Sequence, residues 1–182
     1  MKIGLFFGSF NPIHIGHVAI AKYFAKQSDL DQIWIVVSPR NPLKTRKILA
    51  HENERLAQVR RVIGRSDKIK VSNAEFKLPQ PSYTINTLET LKKKFPKYKF
   101  VLIMGFDTLK LFHLWKDYKS ILKNSELYIY PRKVELNKND MTRIGKYSNV
   151  TFFYAPLFDV SSTFIRKQMK KGKDVRHFLP KH

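Results

Sequence analysis

The chain has 182 residues, 43% of them hydrophobic and 13% aromatic, which suits one compact domain with a buried core and excludes a disordered chain. It has no cysteine, so disulfides, thiolate nucleophiles and thiolate metal sites are excluded together. Lys and Arg outnumber Asp and Glu by 35 to 14, a formal net charge of +21, and a field of that sign gathers phosphates or nucleic acids without naming a reaction.

From the N-terminus, Ile3 to Phe7 is an apolar run of strand length, followed by helical spacing at Ile15, Val18, Ala21, Phe24 and Ala25. A second strand, Ile33 to Val37, opens into a polar loop from Ser38 to Lys47 that carries two prolines. Leu56, Val59 and Ile63 mark the next helix. The loop Ala74 to Tyr83 contains Pro79-Gln80-Pro81 and, like the first loop, follows a strand. A helix through Ile85, Leu88, Leu91 and Phe95 comes next, then the apolar runs Phe100 to Met104, Leu127 to Tyr130 and Val150 to Tyr154. Ser161-Ser162-Thr163 supplies hydroxyl caps for a last helix through Phe164, Ile165 and Met169, with Gly172 as its stop.

Strands alternating with helices predict an α/β fold, a doubly wound parallel sheet of Rossmann-like type, as a single domain over 1–182. The N-terminal apolar stretch is too short for a signal-peptide core and no run approaches membrane-spanning length, so the expectation is a cytoplasmic protein with no membrane partner. Basic runs such as Lys92-Lys93-Lys94 read as solvated helix faces. The sequence leaves oligomeric state open.

The first strand runs into Gly8-Ser9-Phe10-Asn11-Pro12-Ile13-His14-Ile15-Gly16-His17. Gly8 permits close backbone approach, the turn gathers free amides, and the helix N-terminus adds partial positive charge, a combination suited to polyphosphate. His14 and His17 at the helix start can each donate to a phosphate oxygen, and Gly16 between them leaves room for a nucleotide. One such histidine would read as a cap or surface residue. The pair could also be metal ligands, but no nearby Asp, Glu or Cys completes a usual set, and no protein metal site is expected. Neither a Walker A sequence nor G-x-G-x-x-G follows the strand, which argues against a P-loop enzyme and an ordinary dinucleotide dehydrogenase.

These residues resemble the H-x-G-H nucleotidyltransferase superfamily, whose second hallmark, a Ser/Thr-rich turn before a helix carrying a base, is matched by Ser161-Ser162-Thr163-Phe164-Ile165-Arg166. Further segments along nearly the whole chain are similar to bacterial nicotinate-nucleotide adenylyltransferases. They are Ser38-Pro39-Arg40-Asn41-Pro42-Leu43-Lys44, Pro81-Ser82-Tyr83-Thr84-Ile85-Asn86-Thr87-Leu88, Gly105-Phe106-Asp107, Trp115, and Tyr130-Pro131-Arg132. The chain departs from that pattern at Asn11, often Asp in the family, and at Leu43, often His.

The resemblance implies the H-x-G-H nucleotidyltransferase fold and transfer of AMP from ATP to nicotinate mononucleotide, with Mg²⁺ carried on ATP. His14, His17, Lys44 and Arg166 are then the catalytic candidates. ATP would lie against Gly8, Ser9, Phe10, Gly16, His17, Gly105, Asp107, Ser161, Ser162 and Arg166. The acceptor nucleotide would meet Asn11, Lys44, Tyr83, Thr84, Trp115 and Arg132, with Trp115 stacked on the pyridine ring and donors around Thr84 on its carboxylate. Taken alone, Trp115 would read as a core aromatic and Asp107 as a helix cap. Three alternatives stay open: a related adenylyltransferase using nicotinamide mononucleotide or phosphopantetheine, a regulator that kept the pocket but lost turnover, and a basic nucleic-acid-binding protein. No helix-turn-helix, zinc-finger or RRM signature supports the last, so no specific nucleic acid is expected.

Overall fold

The apolar runs pair into one parallel sheet of β1 (Lys2–Gly8), β2 (Gln32–Val37), β3 (Ile69–Ser72), β4 (Lys99–Gly105), β5 (Glu126–Tyr130) and β6 (Val150–Phe152). The computed structural model describes residues 1–39 and 50–181. Strand order is β3-β2-β1-β4-β5-β6, and every neighbouring pair is parallel. The order reverses between β1 and β4, and ligands of open α/β sheets bind at the carboxyl ends of strands at such a switch point. Gly8 and Gly105 end those two strands.

The connections are α1 (Ile15–Gln27), α2 (Glu52–Ile63), α3 (Thr84–Lys94), α4 (Phe106–Lys110), α5 (Tyr118–Asn124), α6 (Lys138–Gly145) and α7 (Ser162–Lys170). Alternation along the strands gives each face its own core. Phe6, Ile33, Ile35, Val37, Val101 and Ile103 pack with Ile20 and Phe24 of α1 and Leu56 and Val59 of α2. Ile3, Leu5, Leu102, Met104, Leu127 and Ile129 pack with Leu88 and Leu91 of α3, Leu109 of α4 and Ile121 of α5. The central strands are therefore apolar on both faces, as a parallel sheet covered by helices requires.

β6 stops two residues before the expected Tyr154. Phe153 still donates its backbone N–H to Ile129 O at 2.8 Å, but Tyr154 is 98% exposed and has no apolar surface to join. At the opposite, amino edge of the sheet, the Lys2 ammonium donates to the carboxylates of Asp29 and Glu126 and to the Tyr128 hydroxyl, each at 2.7 Å, fastening β1 to β5 and to the end of α1.

Candidate active site at the carboxyl edge of the sheet

Beyond Gly8 the chain turns sharply. Phe10 takes a left-handed conformation, with φ at +44°, and folds its ring back over Gly8; a Cβ there would lie 2.7 Å from that ring. A residue other than glycine holding such a φ is uncommon and marks backbone held by its surroundings. α1 then starts at Ile15, with His14 in extended conformation as its cap residue.

The two histidines are stacked, ring centroids 3.6 Å apart. His14 donates its backbone N–H to His17 Nδ1 at 3.3 Å, which leaves the His17 proton on Nε2. His14 is 4% exposed, and burial, with the Arg132 cation as the lesser cause, brings its imidazole down to about 4. It is neutral at pH 7. Its Nδ1 is buried without a hydrogen-bond partner, and an unmet acceptor is tolerated better than an unmet donor, so its proton also belongs on Nε2. Both rings line the same cavity.

The last helix is stitched to this loop. Ser161 caps α7 by accepting from Phe164 N–H at 3.1 Å. Ser162 donates its hydroxyl to Pro12 O at 2.9 Å, so its single proton is engaged within the protein. Arg166 donates to Asn11 O at 2.6 Å and to Thr163 Oγ1 at 3.2 Å. Arg132 donates to Phe158 O at 2.9 Å, and its Nε stands 3.9 Å from the Asp107 carboxylate. Tyr130 beside them is held un-ionised, its phenol pushed up by burial and by Asp107. Gly105 makes this grouping possible, since a Cβ would collide with the Asp107 carboxylate and lie 2.8 Å from Arg132 Cγ. Gly16 is closely packed in the same way: a Cβ there would meet His14, Phe158 and Val160 at 3.1 to 3.2 Å.

Two adjoining cavities open here, of about 550 and 230 Å³, and share Phe6, Phe7, Gly8, Thr108 and Tyr130 as a common wall. The larger is lined by Ser9, Phe10, His14, Gly16 and His17 on one side and by Asp107, Ser161, Ser162 and Arg166 on the other. Arg132, expected with the acceptor, also lines this larger cavity. The smaller is lined by Tyr83, Thr84 and Trp115, and also by Gly105, expected with ATP. Asn11 lines neither: it is buried, and its carbonyl serves Arg166. Lys44 and Leu43 lie outside the described residues.

The smaller cavity is aromatic and faces the start of α3, where Tyr83 is the cap residue and no side chain caps the helix. A bare helix N-terminus favours an anionic group. Trp115 rests on Phe112, centroids 5.3 Å apart, which fixes its ring.

The cytidylyltransferase-like family model matches residues 5–168. A probable nicotinate-nucleotide adenylyltransferase of Flavobacterium johnsoniae is 48% identical over 180 residues, covering 99% of this chain and 92% of that protein. One from Bacteroides fragilis is 41% identical over 179 residues, covering 98% and 87%. The chain belongs to the nicotinate-nucleotide adenylyltransferase family. The solved structure of Plasmodium falciparum nicotinic acid mononucleotide adenylyltransferase complexed with NaAD, 20% identical, superposes with a TM-score of 0.80 over 96% of this chain and 87% of that one, a likeness of fold.

Three residues of this nicotinate-nucleotide adenylyltransferase family member belong to no motif noted in the sequence. Glu75 is 2% exposed on the wall of the smaller cavity and accepts from Ser82 Oγ at 3.0 Å and Thr87 Oγ1 at 2.9 Å, tying the Pro79-Gln80-Pro81 loop to α3. Lys116 holds its ammonium 4.9 Å from the centre of the Tyr83 ring at the same cavity. Arg55 is buried beneath the turn that follows β1, donating to Ser9 O.

Proposed function

We infer that the chain transfers AMP from ATP to nicotinate mononucleotide, giving nicotinate adenine dinucleotide and pyrophosphate. The observation that carries this reading is the pair of cavities meeting at Gly8 and Tyr130. One is built from imidazole, guanidinium and helix-start donors, the other from Trp115, Tyr83 and Thr84. A triphosphate fits the first and a flat anionic ring the second. The likeness to the curated relatives supports the same reaction.

The acceptor phosphate attacks the α-phosphorus of ATP in line, and pyrophosphate leaves from the opposite side. That phosphate is already largely dianionic near pH 7, so no strong base is required, and the protein contributes positioning and stabilisation of charge. The Nε2–H groups of His14 and His17 and the Phe10 amide donate to phosphate oxygens. Arg166, with the hydroxyls of Ser161 and Thr163, faces the leaving pyrophosphate. Ser162 acts from behind by holding Pro12. Arg132 on the wall of the larger cavity pairs with Asp107 near the ribose, and Lys44 is assigned to both substrates from its motif.

Among the described residues no three His, Asp or Glu side chains gather into a metal-holding group. Mg²⁺ enters as MgATP, held mainly by phosphate oxygens and water, since the ion keeps its water and needs few protein ligands. Among the same residues no helix is long and apolar enough to cross a membrane.

The test is pyrophosphate release from MgATP with nicotinate mononucleotide, nicotinamide mononucleotide or phosphopantetheine supplied separately. Release is expected with the first in clear preference. Preference for another acceptor would reassign the smaller cavity, and no release with any would remove the reading.

A further inference from the structure

Arg55 of α2 is 2% exposed and is the largest fully buried side chain among the described residues. Its guanidinium donates through Nη1 to Ser9 O at 2.6 Å and Ser38 O at 2.8 Å, through Nη2 to Pro39 O at 3.0 Å, and through Nε to Ala50 O at 3.0 Å. All four acceptors are neutral carbonyls. Segment 40–49 contains no acidic residue, and among the described residues no carboxylate is salt-bridged to Arg55. Glu52 acts on the guanidinium through space but forms no ion pair with it, and burying a cation without a paired anion is costly, so an apolar side chain of similar volume would fill the space at less expense. The guanidinium therefore needs a reason beyond packing.

The bond to Ser9 O supplies one. In a trans peptide the C=O of one residue and the N–H of the next point in opposite directions. The cis bonds among the described residues lie elsewhere, at Asn11-Pro12 and Gln80-Pro81. Drawing Ser9 O down onto Arg55 thus turns the Phe10 N–H away from it, toward the larger cavity that Ser9 and Phe10 line. It also accounts for the left-handed Phe10 backbone, which a phenylalanine does not adopt unless held. A cation on the carbonyl polarises the same peptide and makes its N–H a stronger donor.

We propose that Arg55 is a positioning residue that holds the Ser9–Phe10 peptide with its N–H aimed at the nucleotide phosphates. It touches no substrate. This inference rests on the reading of the larger cavity as the triphosphate site.

The experiment titrates MgATP alone into the full chain labelled with ¹⁵N at phenylalanine, for wild type, Arg55→Met and Arg55→Lys, and measures steady-state kinetics for each. In the wild type the Phe10 amide is expected to move downfield more than any other phenylalanine amide. In Arg55→Met that shift is lost and KM for ATP rises roughly tenfold to a hundredfold, the worth of one hydrogen bond to a charged acceptor, while KM for the acceptor stays nearly constant. Arg55→Lys keeps the charge and at least one donor, so it should fold and lie between the two. A wild-type Phe10 amide indifferent to MgATP overturns the proposal whatever the variants do. So does a folded Arg55→Met enzyme with wild-type kinetics, or one in which both KM values rise together. If Arg55→Met does not fold, Arg55→Lys decides, since an unchanged Phe10 shift and ATP KM there also overturn it. A Phe10 response without pyrophosphate release on any acceptor removes the functional reading and leaves this inference standing.

Discussion

The imidazole of His14 lies flat against that of His17, with the ring planes 23° from parallel. Two imidazolium ions so close would repel by about 4 kcal/mol even at a protein-like effective dielectric of 20. Burial keeps His14 near 4, so at pH 7 the ring stacked on His17 is neutral and that repulsion does not arise. Between about pH 6.5, where an unfolded histidine titrates, and pH 4, the unfolded chain binds the proton and the folded chain does not. Stability from this residue is complete above that window and falls as pH drops through it, by about 3 kcal/mol. Urea unfolding at pH 7.5 and 4.5 should show a smaller loss in His14→Gln than in wild type. An NMR titration placing His14 near 6.5 would sink the idea, and added MgATP should raise its value by bringing negative charge beside it.

His17→Ala removes one directed donor and the acceptor of the His14 N–H. Turnover should fall about 10²-fold to 10³-fold, measured as pyrophosphate release at saturating substrates. Near-wild-type turnover would show that the stacked pair is structural.

Gly105→Ala tests the meeting of Asp107, Arg132 and Tyr130. The added methyl cannot share the space with the Asp107 carboxylate and Arg132 Cγ. One or both must move, and displacement by about 1 Å is enough to cost up to a hundredfold in rate. A loss of tenfold or more in kcat/KM for ATP is expected, with the melting temperature little altered. If activity survives, the Asp107–Arg132 pair has no part in the reaction.

Lys2→Met acts at the other edge of the sheet. It removes the ammonium shared by Asp29, Glu126 and Tyr128 and leaves the carboxylates partly solvated. The fold should lose about 1 to 2 kcal/mol, or roughly 3 to 6 °C in Tm, with kcat unchanged. A fall in kcat without a fall in Tm would mean that the sheet transmits strain from this edge to Gly8.

The strands that were legible in the sequence are those buried on both faces, because they leave unbroken apolar runs. β3 escaped exact bounds because Ile69-Lys70-Val71-Ser72 alternates, as the half-exposed edge strand it is. α4 and α5 are too short, at five and seven residues, to show helical spacing. The turn after β1, the pair of histidines at the start of α1 and the Ser161 cap were readable because turns, helix starts and caps each demand particular residue types in sequence. Arg55 and Glu75 were not, since a charged residue on a helix or loop reads as solvent-facing. One signal for Arg55 existed: it stands four residues before Val59 and eight before Ile63, on the apolar stripe of α2.

With the smaller cavity read as the acceptor's, as proposed, Lys116 and Trp115 divide recognition into two measurable parts. Trp115 offers a flat face that any pyridine ring can use, whereas Lys116, held against Tyr83, offers charge that only an anionic ring substituent can use. The buried acid on this wall, Glu75, accepts from the hydroxyls of Ser82 and Thr87, and among the described residues no ion pair joins it to Lys116. Lys116 is exposed, and an exposed ion pair contributes at most about 1 kcal/mol. Lys116→Met should therefore lower kcat/KM for nicotinate mononucleotide by about twofold to fivefold and leave that for nicotinamide mononucleotide unchanged, while Trp115→Ala should lower both more deeply. Equal losses on both acceptors in Lys116→Met would place its ammonium on the acceptor phosphate instead, and selection of the ring substituent would then fall to the amides at the start of α3.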